Sequence, residues 1–144
     1  MFNAANPASL LVPMLVVVAL TFIAFFRMAQ MRGAAVKGGH DPAYYKAHLG
    51  TPEPEATVVA VRHYGNLLEL PTLFYAACLA AFALGMTSTA ALGLAWAFAV
   101  LRVLQSAVHI TSNNTLVRGA FFSLGALALL ALWVVIGLEV FARL

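Results

Sequence analysis

AALGLAWAFAVLRVLQSAVHI (residues 90–110) is an apolar run that carries Arg102, Gln105, Ser106 and His109 in its second half. A hydrocarbon core of roughly 30 Å needs about 20 helical residues, so this run is long enough to cross a bilayer. A charge at a helix centre costs about 2.5–3.5 kcal/mol on insertion scales. Arg102 therefore needs partners among packed helices, and by default it marks a functional site.

Three more apolar stretches accompany this one, at about 8–28, 58–84 and 116–141. The composition agrees: 63% of residues are hydrophobic and 9% charged, and the mean hydropathy is +0.93. A soluble domain is nearer half apolar and a quarter charged, so a water-soluble class is excluded. Short connections after the second and third stretches force neighbouring helices to run antiparallel. The expected fold is all-α, an integral membrane antiparallel four-helix bundle forming a single domain over 1–144. Its helices are expected at about 8–31, 57–84, 88–110 and 116–141, with a polar loop at 32–56. The first stretch follows no positive residue and is long for a signal h-region, so it reads as a retained span.

The first loop carries its own punctuation. Gly38 and Gly39 break the first helix, and Asp41-Pro42 suits a helix start. Residues 43–49 then form a short interfacial helix, with Tyr44 and Tyr45 at headgroup level. Thr51-Pro52-Glu53-Pro54-Glu55 stops it and places acidic residues in the first turn of the second span.

Charge is better read by position than by the net +3. Arg27, Arg32, Lys37, Lys46 and Arg62 flank or lie in the first loop, and Arg118 falls on the same side. Arg143 stands alone on the other. The positive-inside rule puts the 32–56 loop and the 111–117 turn in the cytoplasm, with both termini outside. The basic residues are thus a topology signal, and no nucleic-acid partner is expected.

Polar residues inside the spans share faces. Arg62, Asn66 and Glu69 are spaced i, i+4, i+7 on the second helix, and Arg102, Gln105 and His109 are spaced i, i+3, i+7 on the third. Glu69 and Arg102 each lie about 8 residues, or roughly 12 Å, below the same surface. Equal depth makes a Glu69–Arg102 ion pair feasible between neighbouring helices or subunits, either fixing register or serving a ligand. Arg62, Arg118 and Lys37 then remain as a net positive pocket for an anion bearing carboxylates. Arg118 alone can also be read as a snorkelling anchor.

Other features read as structural. Ala91, Ala95 and Ala99 form a small-residue row that lets helix backbones approach, with Gly93 and Ala97 as a second row. Glu139 and Arg143 form an interfacial i,i+4 ion pair. Cys78 packs as an inert buried thiol. His40 and His48 lie in the loop, and His63 and His109 lack metal-binding spacing within their helices, so no metal is expected.

The Asn66-x-x-Glu69-x-Pro71 run, together with Arg102 and Arg118 sixteen residues later, resembles the signatures of the MAPEG family, in its bacterial-type branch. These are membrane-associated proteins in eicosanoid and glutathione metabolism. The resemblance implies a homotrimer in a bacterial inner membrane, with glutathione as co-substrate between adjacent subunits. It implies Arg62, Asn66, Glu69, Arg102 and His109 as glutathione-binding residues. Arg118 is implied as the catalytic residue, a cation beside the thiol that raises its thiolate fraction. The chain departs from the eicosanoid enzymes at His109, where they commonly have tyrosine, and at Gln105, where a histidine or tyrosine is usual. Gly65 replaces a basic residue, and Ser112-Asn113-Asn114 replaces a more basic turn. His109 is either a base or hydrogen-bond donor, or a satisfied interhelical histidine.

Two functions follow as expectations. One is a glutathione S-transferase-like or peroxidase-like enzyme acting on a hydrophobic small-molecule electrophile that enters from the bilayer. The other is a non-catalytic trimeric membrane protein whose polar cluster is structural or holds an anionic lipid or other anion. A transporter is disfavoured because no mid-membrane helix break is expected, Pro71 being the one proline well inside a later helix.

Overall fold

A computed structural model describes residues 6–86 and 88–144, and every described element is helical. A 3-10 turn (Pro7–Leu10) leads into α1 (Leu11–Lys37). Then come α2 (Tyr44–Ala47), α3 (Glu55–Asn66), α4 (Leu70–Ala83), α5 (Thr89–Ile110) and α6 (Thr115–Phe141). Four segments are long and apolar enough to cross a membrane: Pro7–Lys37, Glu55–Ala83, Thr89–Ile110 and Thr115–Phe141.

The helix ends follow from local chemistry. Ser88 caps α5 by accepting from the Ala91 N–H at 3.3 Å, and Asn114 caps α6 by accepting from Leu116 and Val117. Side-chain oxygens of this kind satisfy the free donors of a first turn. At its other end α1 continues past the expected residue 31 to Lys37. It stops at Gly38, and Gly39 follows at φ +99°, a conformation that favours glycine.

The second span is interrupted. α3 ends at Asn66, residues 67–69 form a turn, and α4 restarts at Leu70 with Pro71 in its first turn. Proline has no N–H to donate to the preceding turn, and its ring clashes with the carbonyl four residues back, here that of Leu67. Tighter bonds from Leu67 N–H to Tyr64 O and from Leu68 N–H to Gly65 O close the end of α3. The expectation of an unbroken helix over 57–84 is thereby corrected.

α5 packs most extensively on α6, and α1 lies against α3, α4 and α5. The core joins Val17 of α1, Phe74, Ala77, Cys78 and Ala81 of α4, and Leu129, Leu132 and Ile136 of α6 around α5. Phe74 and Phe98 stack at 4.3 Å between centroids. Ala91, Ala95 and Ala99 are fully buried here, whereas Gly93 is exposed, so only the first small-residue row is used within the chain. The outward faces carry Phe22, Ile23 and Phe26 on α1 and Leu124, Leu127 and Leu130 on α6. Small residues inside and bulky apolar ones outside are what lipid as a solvent selects.

Between α1 and α3, the Asp41 carboxylate accepts from the Ala43 N–H at 2.8 Å, and α2 ends at His48 in the left-handed region. The loop is fastened by Arg32, which bonds the buried Glu53 carboxylate at 3.1 Å and lies 5.1 Å from the Tyr45 ring centroid. Burial of the Tyr45 hydroxyl, and then the nearby Glu53 carboxylate, push its pKa up from the ordinary tyrosine value. Across the molecule, Arg143 holds Glu139 at 2.7 Å and also donates to the Leu84 carbonyl at 2.5 Å, tying the end of α6 to the end of α4.

Candidate functional site

The polar face of α5 turns inward. Arg102, Gln105, Ser106 and His109 are all buried, as i, i+3, i+4, i+7 spacing on one helical face allows. Arg102, only 1% exposed, donates to Gln105 Oε1 at 2.5 Å. Its guanidinium carbon lies 5.1 Å from the Phe98 ring centroid and 4.8 Å from that of Phe122 on α6. Aromatic faces attract a desolvated cation, and here they stand beside Nε and Nη2, which have no hydrogen-bond partner among the described residues. Gly125 of α6 passes close by, since a Cβ there would stand 3.9 Å from Arg102 Nε.

The feasible Glu69–Arg102 ion pair is not formed within the chain. Among the described residues the ion pairs are Arg32–Glu53 and Arg143–Glu139. Glu69 is exposed and closes the break between α3 and α4, so it no longer follows the helical phase of Asn66. Its charge still acts on Arg102 at longer range.

A cleft of about 200 Å³ lies beside this cluster, lined by Asn66, Gln105, Thr115, Arg118, Gly119 and Phe122. Three elements meet in it: the end of α3, the inner face of α5, and the start of α6, which adds the packed ring of Phe122. Arg118 is half-buried and donates to Asn113 Oδ1 at 2.6 Å. Asn113 sits in the left-handed region (φ 49°) within the short turn joining α5 to α6. The turn therefore fixes where the Arg118 charge is presented.

The sequence-predicted residues divide accordingly. Asn66 and Arg118 share the cleft, Gln105 forms its wall, and Arg102 stands behind Gln105. Arg62 and Glu69 are exposed and do not line it. His109 lines a different cleft, of about 390 Å³, with Arg27, Glu55, Ser112 and Asn113. Two residues escaped the sequence reading. The sequence makes Arg27 a topology signal only, and within its own helix His63 has no ligand spacing. The buried His63 ring lies 5.2 Å from that of His109, and none of the four ring nitrogens has a hydrogen-bond partner among the described residues. Their comparable depths, near the start of the second span and the end of the third, were the available signal.

Among the described residues, no group of three or more His, Cys, Asp or Glu side chains could hold a metal ion. What the arrangement offers is cationic and hydrogen-bonding: Arg118 with two side-chain amides and a threonine hydroxyl. Such a set suits carboxylates or a developing thiolate.

The sequence pattern of the MAPEG family matches residues 10–138. No significant match is found among curated proteins or among solved structures. The match spans nearly the whole chain and overlaps all four segments able to cross a membrane, and the chain belongs to the MAPEG family.

Proposed function

We propose that this protein is a membrane-embedded glutathione-dependent transferase or peroxidase-type enzyme acting on a hydrophobic electrophile. The observation that carries the reading is the meeting of Asn66 and Arg118, from α3 and α6, in one polar cleft. Family membership supports the same chemistry. Asn66, Gln105 and Thr115 offer donors and acceptors matched to peptide and carboxylate groups. Arg118, held by Asn113, is the catalytic residue, stabilising the thiolate of the substrate glutathione. The sulfur then forms a bond to the electrophilic carbon as the leaving group departs with the bonding pair, or adds across an activated double bond.

The cleft of about 200 Å³ is smaller than the roughly 300–1,000 Å³ of typical ligand pockets. A neighbouring subunit completes it in the proposed homotrimer of antiparallel four-helix bundles. Arg62 and Glu69, exposed on the single chain, meet glutathione or the adjacent subunit there. Arg102 serves by orienting Gln105. The loop between α1 and α3 and the turn before α6 lie on the cytoplasmic side of a bacterial inner membrane.

The test is thermal unfolding of detergent-purified protein over a glutathione series. A ligand that binds only the native state raises apparent stability by mass action. Saturable stabilisation, lost in Arg118→Ala and weakened in Arg62→Ala, is the expected result. No stabilisation at millimolar glutathione overturns the reading. One observation favours the second reading, a non-catalytic trimer: Arg102 finds its partners inside the protein. Under that reading Arg102→Ala lowers stability while no thiol-dependent turnover exists to lose.

A further inference from the structure

The polar cleft can hold a thiolate, but its lining cannot take up the proton that forming one sets free. Asn66 and Gln105 offer amides, Thr115 a hydroxyl and Arg118 a guanidinium, and none of these is a base at neutral pH. We infer that the buried His63–His109 pair is a proton relay that carries the thiol proton out of this cleft and into the neighbouring one. The role rests on the glutathione reading and adds His63 to its machinery.

Placement supports it. His63 precedes Asn66 by three residues on α3, and His109 follows Gln105 by four on α5. Each imidazole thus shares a helical face with a cleft-lining residue and stands about one turn, roughly 5.4 Å, from it. One intervening water spans such a gap. The two rings lie 5.2 Å apart between centroids, both are buried, and their four nitrogens have no hydrogen-bond partner among the described residues. On its far side His109 lines the cleft of about 390 Å³, together with the exposed Glu55 and Ser112. Asn113 lines that cleft too, and its bond to Arg118 reaches the first, so the two clefts are neighbours. The pair therefore stands between a cleft without a base and one that opens to water and holds a carboxylate.

The transfer balances without a stored charge. The S–H bond breaks, and the sulfur keeps the electron pair beside Arg118. The proton bonds to one nitrogen of His63 while the N–H proton on its other nitrogen passes to His109. His109 in turn releases its own N–H proton to water or to Glu55 in the second cleft. Both rings end neutral with the N–H on the opposite nitrogen, and rotation of the rings resets them. Passage through neutral rings suits the surroundings. Arg27 of α1, Arg62 of α3 and Arg118 of α6 all act on His109, and Arg27 acts on His63 as well, with Glu55 of opposite sign in the second cleft.

The experiment is stopped-flow mixing of the detergent-purified full chain with glutathione and a pH indicator, followed by turnover of a model electrophile. The unsubstituted protein should release a proton in a fast phase. His63→Gln should slow that phase and kcat by about tenfold or more. The rise in Tm with glutathione should be kept, because His63 lines neither cleft. In His109→Ala, free imidazole entering through the second cleft should restore the rate, whereas pyrazole, of the same size but a far weaker base, should not. Should His63→Gln fail to fold, this rescue decides alone. The relay is overturned if His63→Gln releases its proton at the unsubstituted rate, or if pyrazole restores His109→Ala as well as imidazole does. Either result with the glutathione response intact removes the relay and leaves the proposed function standing. No glutathione response in the unsubstituted protein removes both.

Discussion

Arg102 and Gln105, one turn apart on α5, are bonded to each other at 2.5 Å inside the protein, so a buried charge finds its hydrogen bond on its own helix. Removing one partner of a buried charged contact is costlier than removing both, because the survivor keeps its desolvation penalty. Gln105→Leu is therefore expected to lower stability by about 2–4 kcal/mol. Arg102→Met combined with Gln105→Leu should recover part of that loss. A double-mutant cycle of unfolding in mild detergent checks it, and additive losses would contradict the pairing.

Asn113 should matter to catalysis through Arg118. Asn113→Ala deletes the acceptor at 2.6 Å that positions the guanidinium but leaves the charge in place. Loss of about 1.4 kcal/mol of transition-state positioning corresponds to a roughly tenfold fall in kcat. Arg118→Ala should fall further, and Arg118→Lys should lie between them. Turnover of a model electrophile with glutathione, with kcat and KM measured separately, provides the test.

The break at 67–69 is set by Pro71, and Pro71→Ala should let helical bonding run from α3 into α4. Proline in a helix interior costs about 3 kcal/mol relative to alanine, so its removal is ample to shift this local balance. Slower amide exchange at Leu67, Leu68 and Glu69 is expected, with weaker glutathione stabilisation as Glu69 rotates. Unchanged exchange at those amides would show that the turn is imposed by packing.

At the opposite end, Arg143→Ala removes both the Glu139 ion pair and the bond to the Leu84 carbonyl. Both side chains are substantially exposed, so the ion pair itself is worth little. Arg143→Ala should cost about 1 kcal/mol, mainly through the carbonyl, and Glu139→Ala less than half as much. Denaturant midpoints for the two variants separate the contributions.

In the first loop, Glu53→Gln should free Arg32 and loosen residues 38–54. The Glu53 side chain is only 6% exposed, so the effect should exceed that of a surface pair and reach about 1–2 kcal/mol locally. The same loop should weaken in alkali. Tyr45 has a raised pKa in the folded state, so the folded protein holds that proton more tightly than the unfolded chain does. Stability then falls as pH rises above the ordinary tyrosine value near 10. Limited proteolysis across that range reports it.

The spans were legible because hydropathy over about 20 residues is set by the bilayer and hardly depends on tertiary detail. The inward face of α5 was legible too, since Arg102, Gln105 and His109 obey helical spacing. The second span was not. Reading Arg62, Asn66 and Glu69 as one face assumed a helix that the Gly65-to-Pro71 stretch does not sustain, and within one chain Glu69 does not reach Arg102 as an ion pair. The His63–His109 pair was missed for a different reason: spacing rules look along one helix, whereas this contact is made between two.

The clamp on Arg102 has a consequence for how the chain enters the membrane. Its aromatic partner Phe122 and the close-passing Gly125 both belong to α6, which emerges from the ribosome later. α5 is also the less apolar of the two, with mean hydropathy 1.6 against 2.5 for α6. Before α6 arrives, Arg102 keeps Phe98 of its own helix but lacks the Phe122 ring that covers it in the finished protein. The third span is thereby expected to settle only together with the fourth, and a chain truncated before residue 122 should be retained by the insertion machinery or degraded.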